Sequence, residues 1–547
     1  MSLHSASPLS PAQPSWLERL PRFGLWLAVW WLALLWLRPF ASPDEGRYVG
    51  IARDMLASGQ WVVPELNGLP FFHKPILYYW VEAAGMGLFG VNTFGGRMAP
   101  LLGALMMVLA AGWHVRRRVG PAASRWAMAL LSLQPLTFVG GQYANLDMLV
   151  AGCITLTIVL WSESALSESP RERFGLMLGG WAAAGLGILA KGLIGLVLPM
   201  AVVGLWLLSA WQWRAILRLL HPAGLLVFAA VALPWMWAMQ QRFPDFFDYF
   251  IVEQHFRRFK GTTFNNARPV WFYLVVLATL LLPWTALLLA RARGVWQQSA
   301  QVPGRARMLW ALWAVVITGF FSMPHSKLVG YILPAVPPLM LFLAVWLAQV
   351  GGRWRTGVLA GSAAMCAALV VGATVQQHRS GSTSLAAADV VNQQDAQDPA
   401  WQQAPVIFYE EEFNDLRLMR QASTVRSPVV TDWVAFRQAP RDNWRKEFLD
   451  ATRFAPAMGQ ALLWSPEQLR QQLCRLPRAW IMVPAEVRAQ QAWLQALPQA
   501  ASTKRGVLLR WQAGLEGQAA AQQECARGDQ HQGAAQGQEG RPLGQPQ

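Results

Sequence analysis

Two carboxylates stand side by side at Asp44 and Glu45, with Arg47 and Tyr48 just after them. Adjacent acids close to hydrocarbon are costly unless water, a metal or a cation compensates them. The bland alternative is a solvated helix start, where acidic residues in the first turn favour the dipole. A second candidate carboxylate is Asp147, in Asn145-Leu146-Asp147, for which helix capping is the ordinary role. The candidate cations are Lys74 in Phe71-Phe72-His73-Lys74-Pro75, Lys191 in Ala190-Lys191-Gly192, Arg258 in His255-Phe256-Arg257-Arg258, and Lys327 ahead of Tyr331. A lysine held by interfacial aromatics meets a phosphate as a point charge, or simply snorkels to lipid headgroups. Tyr331 is by itself a normal interfacial anchor.

The elements that must position these residues are membrane spans. Of the 547 residues 54% are hydrophobic, only 14% are charged, and 30 are tryptophan, which is too apolar for one soluble fold of this length. The net charge of +16 does not form a single patch but falls in short clusters between apolar runs, which argues against a nucleic-acid partner. Eleven runs approach or reach the length needed to cross a bilayer: 24–40, 94–115, 123–141, 144–162, 174–190, 192–211, 222–240, 269–291, 308–322, 328–349 and 356–375. With residues 1–23 in the cytoplasm, Arg116 to Arg118, Arg171 and Arg173, Arg214 and Arg218, Arg291 to Arg307, and Arg353 and Arg355 all fall in cytoplasmic loops. Counting the short run Ile76 to Phe89 as a full span would invert that pattern, so it reads as a surface or re-entrant helix. The candidate chemical groups then collect on the outer side, in loops 41–93 and 241–268 and at span ends. A transporter would also place ionisable groups near mid-membrane.

After residue 375 the composition turns polar. Short apolar stretches at 406–409, 461–464, 480–483 and 507–511, with a helical segment at 466–474, predict a small α/β domain over 376–515 on the outer side. Residues 516–547, rich in Gln, Gly and Ala, predict a disordered tail. Four cysteines with no paired spacing predict no disulfide framework and no structural zinc site. The expected fold class is thus a polytopic α-helical membrane protein of about 11–13 transmembrane helices with a small C-terminal α/β periplasmic domain.

The order Pro43-Asp44-Glu45, Arg47-Tyr48, Phe72-His73-Lys74-Pro75, Asn145-Leu146-Asp147, Ala190-Lys191-Gly192, His255-Phe256-Arg257-Arg258 and Lys327 through Tyr331-Ile332-Leu333-Pro334 resembles the aminoarabinose lipid A transferases, within the protein O-mannosyltransferase-like GT-C superfamily. The resemblance implies a bacterial inner-membrane enzyme. It would take a sugar, 4-amino-4-deoxy-L-arabinose in the type case, from undecaprenyl phosphate on the periplasmic side and pass it to a phosphate of lipid A or another glycolipid. It makes Asp44 and Asp147 the catalytic carboxylates and places Glu45, Arg47, Tyr48, Lys74, Lys191, Arg258, Lys327 and Tyr331 at the substrates. Cations are what such a reaction needs where the leaving phosphate gathers charge. One position departs from the pattern. The family typically has Glu before the lysine, forming a metal site with a later His; here the pair is His73 and His255. Two histidines bind zinc at least as naturally; the site for a divalent metal, zinc or magnesium, is either kept with altered affinity or lost. Alternatives within reach are a GT-C transferase using another polyprenyl-phosphate sugar with a protein or glycan acceptor, and a polyprenyl-lipid transporter or flippase.

Overall fold

The computed structural model describes residues 29–257, 266–380, 383–421, 425–439 and 443–514. The expected cytoplasmic N-terminus, the C-terminal tail and Arg258 lie outside the described residues. Two compact units emerge. One gathers the N-terminal segment to Leu37 with residues 74–81 and 94–372; the other gathers 38–73, 82–93 and 373 onward.

The first unit is a helical membrane bundle, and the protein is a multi-pass membrane protein. Among the described residues, six helical segments are long and apolar enough to cross a bilayer: Gly95–Arg118, Leu146–Leu166, Pro170–Lys191, Pro222–Arg242, Val329–Gln349 and Trp354–Arg379. A seventh is the pair Phe272–Leu280 and Trp284–Ala290, bent by 100° at Pro283. The other expected spans are shorter or interrupted. Run 123–141 breaks into Pro121–Leu133 and Pro135–Gly141, because Pro135 cannot donate to the helix ladder. Run 192–211 is the 16-residue helix Ile194–Ser209, run 308–322 belongs to Gly304–Ser322, and run 24–40 falls partly outside the described residues. The re-entrant or surface candidate is a 13-residue helix, Leu77–Phe89.

At the centre of the bundle, α2 (Met98–Arg118) and α3 (Leu146–Leu166) approach backbone to backbone. A Cβ on Gly103 would lie 2.3 Å from the Met148 carbonyl, and one on Gly152 would lie 2.4 Å from the Gly103 carbonyl. Small residues allow that crossing. α3 is apolar all round and buried along most of its length, as a central helix must be. It meets α4 (Pro170–Lys191), which starts with Ser169 accepting from the Glu172 N–H and Pro170 at its first position.

The second unit joins the first loop to the C-terminal segment. In the sequence reading loop 41–93 goes with the membrane domain, whereas here most of it groups with the C-terminal residues. Asn67 shows why: its amide donates to the Ser427 carbonyl at 2.5 Å and accepts from the Ser427 N–H at 2.8 Å. The loop contains helix α1 (Asp44–Ser58), closed by Gly59 in the left-handed region at φ 69°, and a short hairpin of β1 (Glu65–Leu66) with β2 (Leu69–Pro70).

The C-terminal segment folds as a six-stranded sheet in the order β5-β4-β3-β6-β8-β7. The strands are β3 (Val406–Tyr409), β4 (Val429–Val430), β5 (Leu463–Trp464), β6 (Arg478–Val483), β7 (Gln499–Ser502) and β8 (Val507–Gln512). β3 is parallel to β4 and β6, β4 is parallel to β5, and β8 runs antiparallel to β6. Ile407, Ile481, Val483, Leu509 and Trp511 form its core with Leu469 and Leu473 of helix Pro466–Arg475. Cys474 is disulfide-bonded; Cys153 and Cys366 are free and buried.

Candidate active site

The candidate residues fall into two groups, one in each unit. In the membrane unit Asp147, Lys191 and Tyr331 come together from three separate elements. Asn145 caps α3, its side chain accepting from the Asp147 N–H at 3.0 Å. The capping role considered for Asp147 is therefore filled by its neighbour, and the Asp147 carboxylate is left to accept from the Lys191 ammonium. Lys191 is the last residue of α4, where a cation suits the helix dipole. Gly192, at φ 100°, ends the helix immediately after it. The same ammonium sits 4.0 Å from the centroid of the Tyr331 ring, a cation–π contact. Gly330 makes the fit: a Cβ there would lie 2.2 Å from Asp147 Oδ2. The side chains of Asp147 and Lys191 retain 10% and 13% of their exposure.

Lys327 is used differently. Its ammonium donates to the carbonyls of Arg268, at 3.0 Å, and Pro324. Burial pulls its pKa below the usual lysine value. It ties the segment before Tyr331 to residues 266–268, alongside the backbone bond from Lys327 N–H to the Asn266 carbonyl. Lys74 is half-buried in the same unit, ahead of helix Leu77–Phe89.

In the second unit Asp44 and Glu45 occupy the first turn of α1 and do different things. Glu45 is fully buried and accepts both arms of Arg38, at 2.5 and 2.8 Å, together with the Ala41 N–H at 2.6 Å. These bonds fix the turn that opens α1. Asp44 accepts from Arg47 Nη2 at 2.7 Å, and Arg47 Nη1 reaches Glu447 at 2.5 Å. The Arg47 guanidinium also lies 5.2 Å from the Tyr48 ring, itself buried. Burial opposes the Arg47 charge, but Glu447, Glu412 and Asp44 hold its pKa well above the ordinary arginine value. Glu412, also buried, has its carboxyl pushed up to about 7, by burial first and by Glu447 and Asp44 beyond that, against the pull of Arg47 and Arg505. Glu447, Glu412 and Arg505 are sites that the sequence reading missed. The available signal was the run of three acids, Glu410 to Glu412, directly after a predicted strand.

His73 is half-buried, its ring 5.0 Å from that of Phe71. The side chain of His255 lies outside the described residues. Among the described residues no group of three or more His, Cys, Asp or Glu is arranged to hold a metal ion.

Comparison with known proteins gives this geometry its context. The family of dolichyl-phosphate-mannose-protein mannosyltransferases matches residues 25–250. An undecaprenyl phosphate-alpha-4-amino-4-deoxy-L-arabinose arabinosyl transferase of Pseudomonas aeruginosa is 37% identical over 323 residues, covering 58% of this chain and 56% of the relative. A Pseudomonas fluorescens transferase of the same name is 35% identical over 354 residues, covering 62% of this chain and 60% of the relative. The alignments thus span between half and two thirds of the relatives' length. A crystal structure of ArnT from Cupriavidus metallidurans bound to undecaprenyl phosphate matches with a TM-score of 0.76 at 23% identity, covering 90% of this chain and 98% of that one. The chain has the fold of that structure, and the relatives it matches bear the name of the family that its motifs resemble.

Proposed function

Because the chain shares the fold of an aminoarabinose transferase and aligns with such enzymes over more than half its length, we propose that it is a polyprenyl-phosphate-sugar-dependent glycosyltransferase. The donor is 4-amino-4-deoxy-L-arabinose on undecaprenyl phosphate, and the acceptor is a lipid A phosphate at the periplasmic face of the bacterial inner membrane.

The observation that carries this reading is Lys191, held between Asp147 and the Tyr331 ring at the end of two packed spans. A single lysine–carboxylate contact is exchangeable. An incoming phosphodiester supplies a stronger anion for the ammonium, which then stabilises the phosphate as the sugar leaves. Asp147 is freed to hold a sugar hydroxyl. Asp44 orients the acceptor, and since a phosphate acceptor is already a competent nucleophile, this needs little general-base strength. Lys74 and Arg258 add cationic charge for donor or acceptor phosphates. No step is routed through a metal.

Charge supports the proposed orientation. Asp147 and Lys191 sit at one end of α3 and α4, while Arg117 and Arg118 reach Glu163 at the other end of α3. Arginine-rich ends are usually retained in the cytoplasm, which favours an outer position for Asp147. A disulfide at Cys474 suits the oxidising periplasm. The stretch of α3 between Asp147 and Glu163 contains no charged residue, which disfavours a transport path along it.

The test is to express the chain in cells deprived of their own lipid A aminoarabinose transferase and weigh the lipid A by mass spectrometry. The native chain is expected to add an aminopentose, and Asp44→Ala is expected to add none at equal membrane abundance. Unmodified lipid A with native protein present would remove the acceptor assignment.

A further inference from the structure

The C-terminal sheet has the strand order of a doubly wound fold. From β3 the chain moves to β4 and β5 on one side, then crosses to β6 on the other. In open α/β sheets such a reversal, here between β3 and β6, opens a crevice at the carboxyl ends of the strands where ligands bind. The residues at those ends are Glu410, Glu411 and Glu412 after β3, with Arg505 beside the end of β6 through Gly506, whose Cβ would lie 2.6 Å from the Val483 carbonyl.

That crevice holds the chain's own first loop. Arg505 donates to the Ser42 hydroxyl, to Glu411 at 2.6 Å, to Asp415 at 3.1 Å and to the Glu412 carbonyl at 2.6 Å. A Cβ on Gly46 would stand 2.5 Å from the Asp415 nitrogen, so the start of α1 is pressed onto the turn after β3. The helix Trp444–Thr452, from the connection between β4 and β5, adds Glu447 on the other arm of Arg47.

We propose that Glu447 is a positioning residue for Asp44, acting through Arg47, so that the carboxyl edge of the C-terminal sheet aims the acceptor-side carboxylate instead of binding a separate ligand. This rests on the role given to Asp44 above. The two arms of one planar guanidinium are committed to Asp44 and Glu447, and an arginine gripped at both ends cannot rotate away from either.

The test uses the full chain in proteoliposomes with undecaprenyl-phosphate aminoarabinose and lipid A. Glu447→Ala is expected to lower kcat on the order of a hundredfold, as a small misplacement at a reacting centre does, with little change in donor KM. The nearly isosteric Glu447→Gln should lose less, and guards against a folding artefact. In an Arg47→Lys background, which lacks the two-armed grip, the Glu447→Ala loss should shrink to about tenfold or less, since coupled sites are not additive. Full additivity in the Arg47→Lys background overturns the proposal while leaving the transferase reading intact. A native chain that transfers no sugar overturns both.

Discussion

The two ends of α3 carry the same kind of contact and put it to opposite uses. At one end Glu163 is fully buried. It takes His114 Nδ1 at 2.7 Å, Arg118 Nε at 2.8 Å and Arg117 Nε at 2.9 Å. Trp310 Nε1 donates to His114 Nε2 at 3.0 Å, which makes Nδ1 the protonated nitrogen facing Glu163. Every lone pair there is committed. At the other end Asp147 has one ammonium, an aromatic wall and some open surface. A saturated carboxylate is architecture, whereas a carboxylate held by a single exchangeable cation leaves room for a substrate phosphate.

Breaking each end should therefore fail differently. Lys191→Ala is expected to cut sugar transfer about a hundredfold to a thousandfold, the cost of removing one preorganised charge-stabilising group, with membrane abundance unchanged on immunoblots. Glu163→Ala leaves the buried His114 N–H without its acceptor and two partly exposed arginines without their counter-ion, on the order of 1–3 kcal/mol. It should lower the unfolding midpoint of detergent-solubilised protein, and activity should fall only as folded protein does. If Glu163→Ala kept its stability and lost turnover, the distinction between the ends would disappear.

Gly330→Ala sharpens the comparison without touching a charge. The new methyl must push Asp147 aside, and about a tenfold loss of transfer is expected from the shifted pair, read in the same vesicle assay. The smallest effect belongs to Glu412. Its folded carboxyl, at about 7, lies above the ordinary glutamate value, so between the two the native state keeps a proton that the unfolded chain has lost. Its contribution to stability is complete at acid pH and is lost as pH rises toward 7. Glu412→Gln should melt a few degrees above the native protein at about pH 8 and match it at about pH 4, measured by thermal scanning.

Local pattern made part of this molecule legible. Hydropathy located the helical segments, and alternation with turn residues placed β3 at Val406–Tyr409 and the helix that begins at Pro466. The motif order picked out Asp147, Lys191 and Tyr331, which the fold brings into contact. Pairings across the chain were not legible. Arg47 and Glu447 are 400 residues apart, and nothing in the composition of helix Trp444–Thr452 marks one glutamate for that use. Glu45 looked as chemical as Asp44 because adjacent residues on a helix face different ways, which only the packing of Arg38 decides. The two-residue strand β4 was too short to show any period.

The most direct test of the account is a binding titration of undecaprenyl phosphate into the purified protein. Relative to the native chain, Lys191→Ala should bind about tenfold to a hundredfold more weakly, the worth of a hydrogen bond to a charged group, while Glu163→Gln, folded to the same extent, should bind with unchanged affinity. Equal affinities for native protein and Lys191→Ala would contradict the assignment of that end of α3 to the donor phosphate.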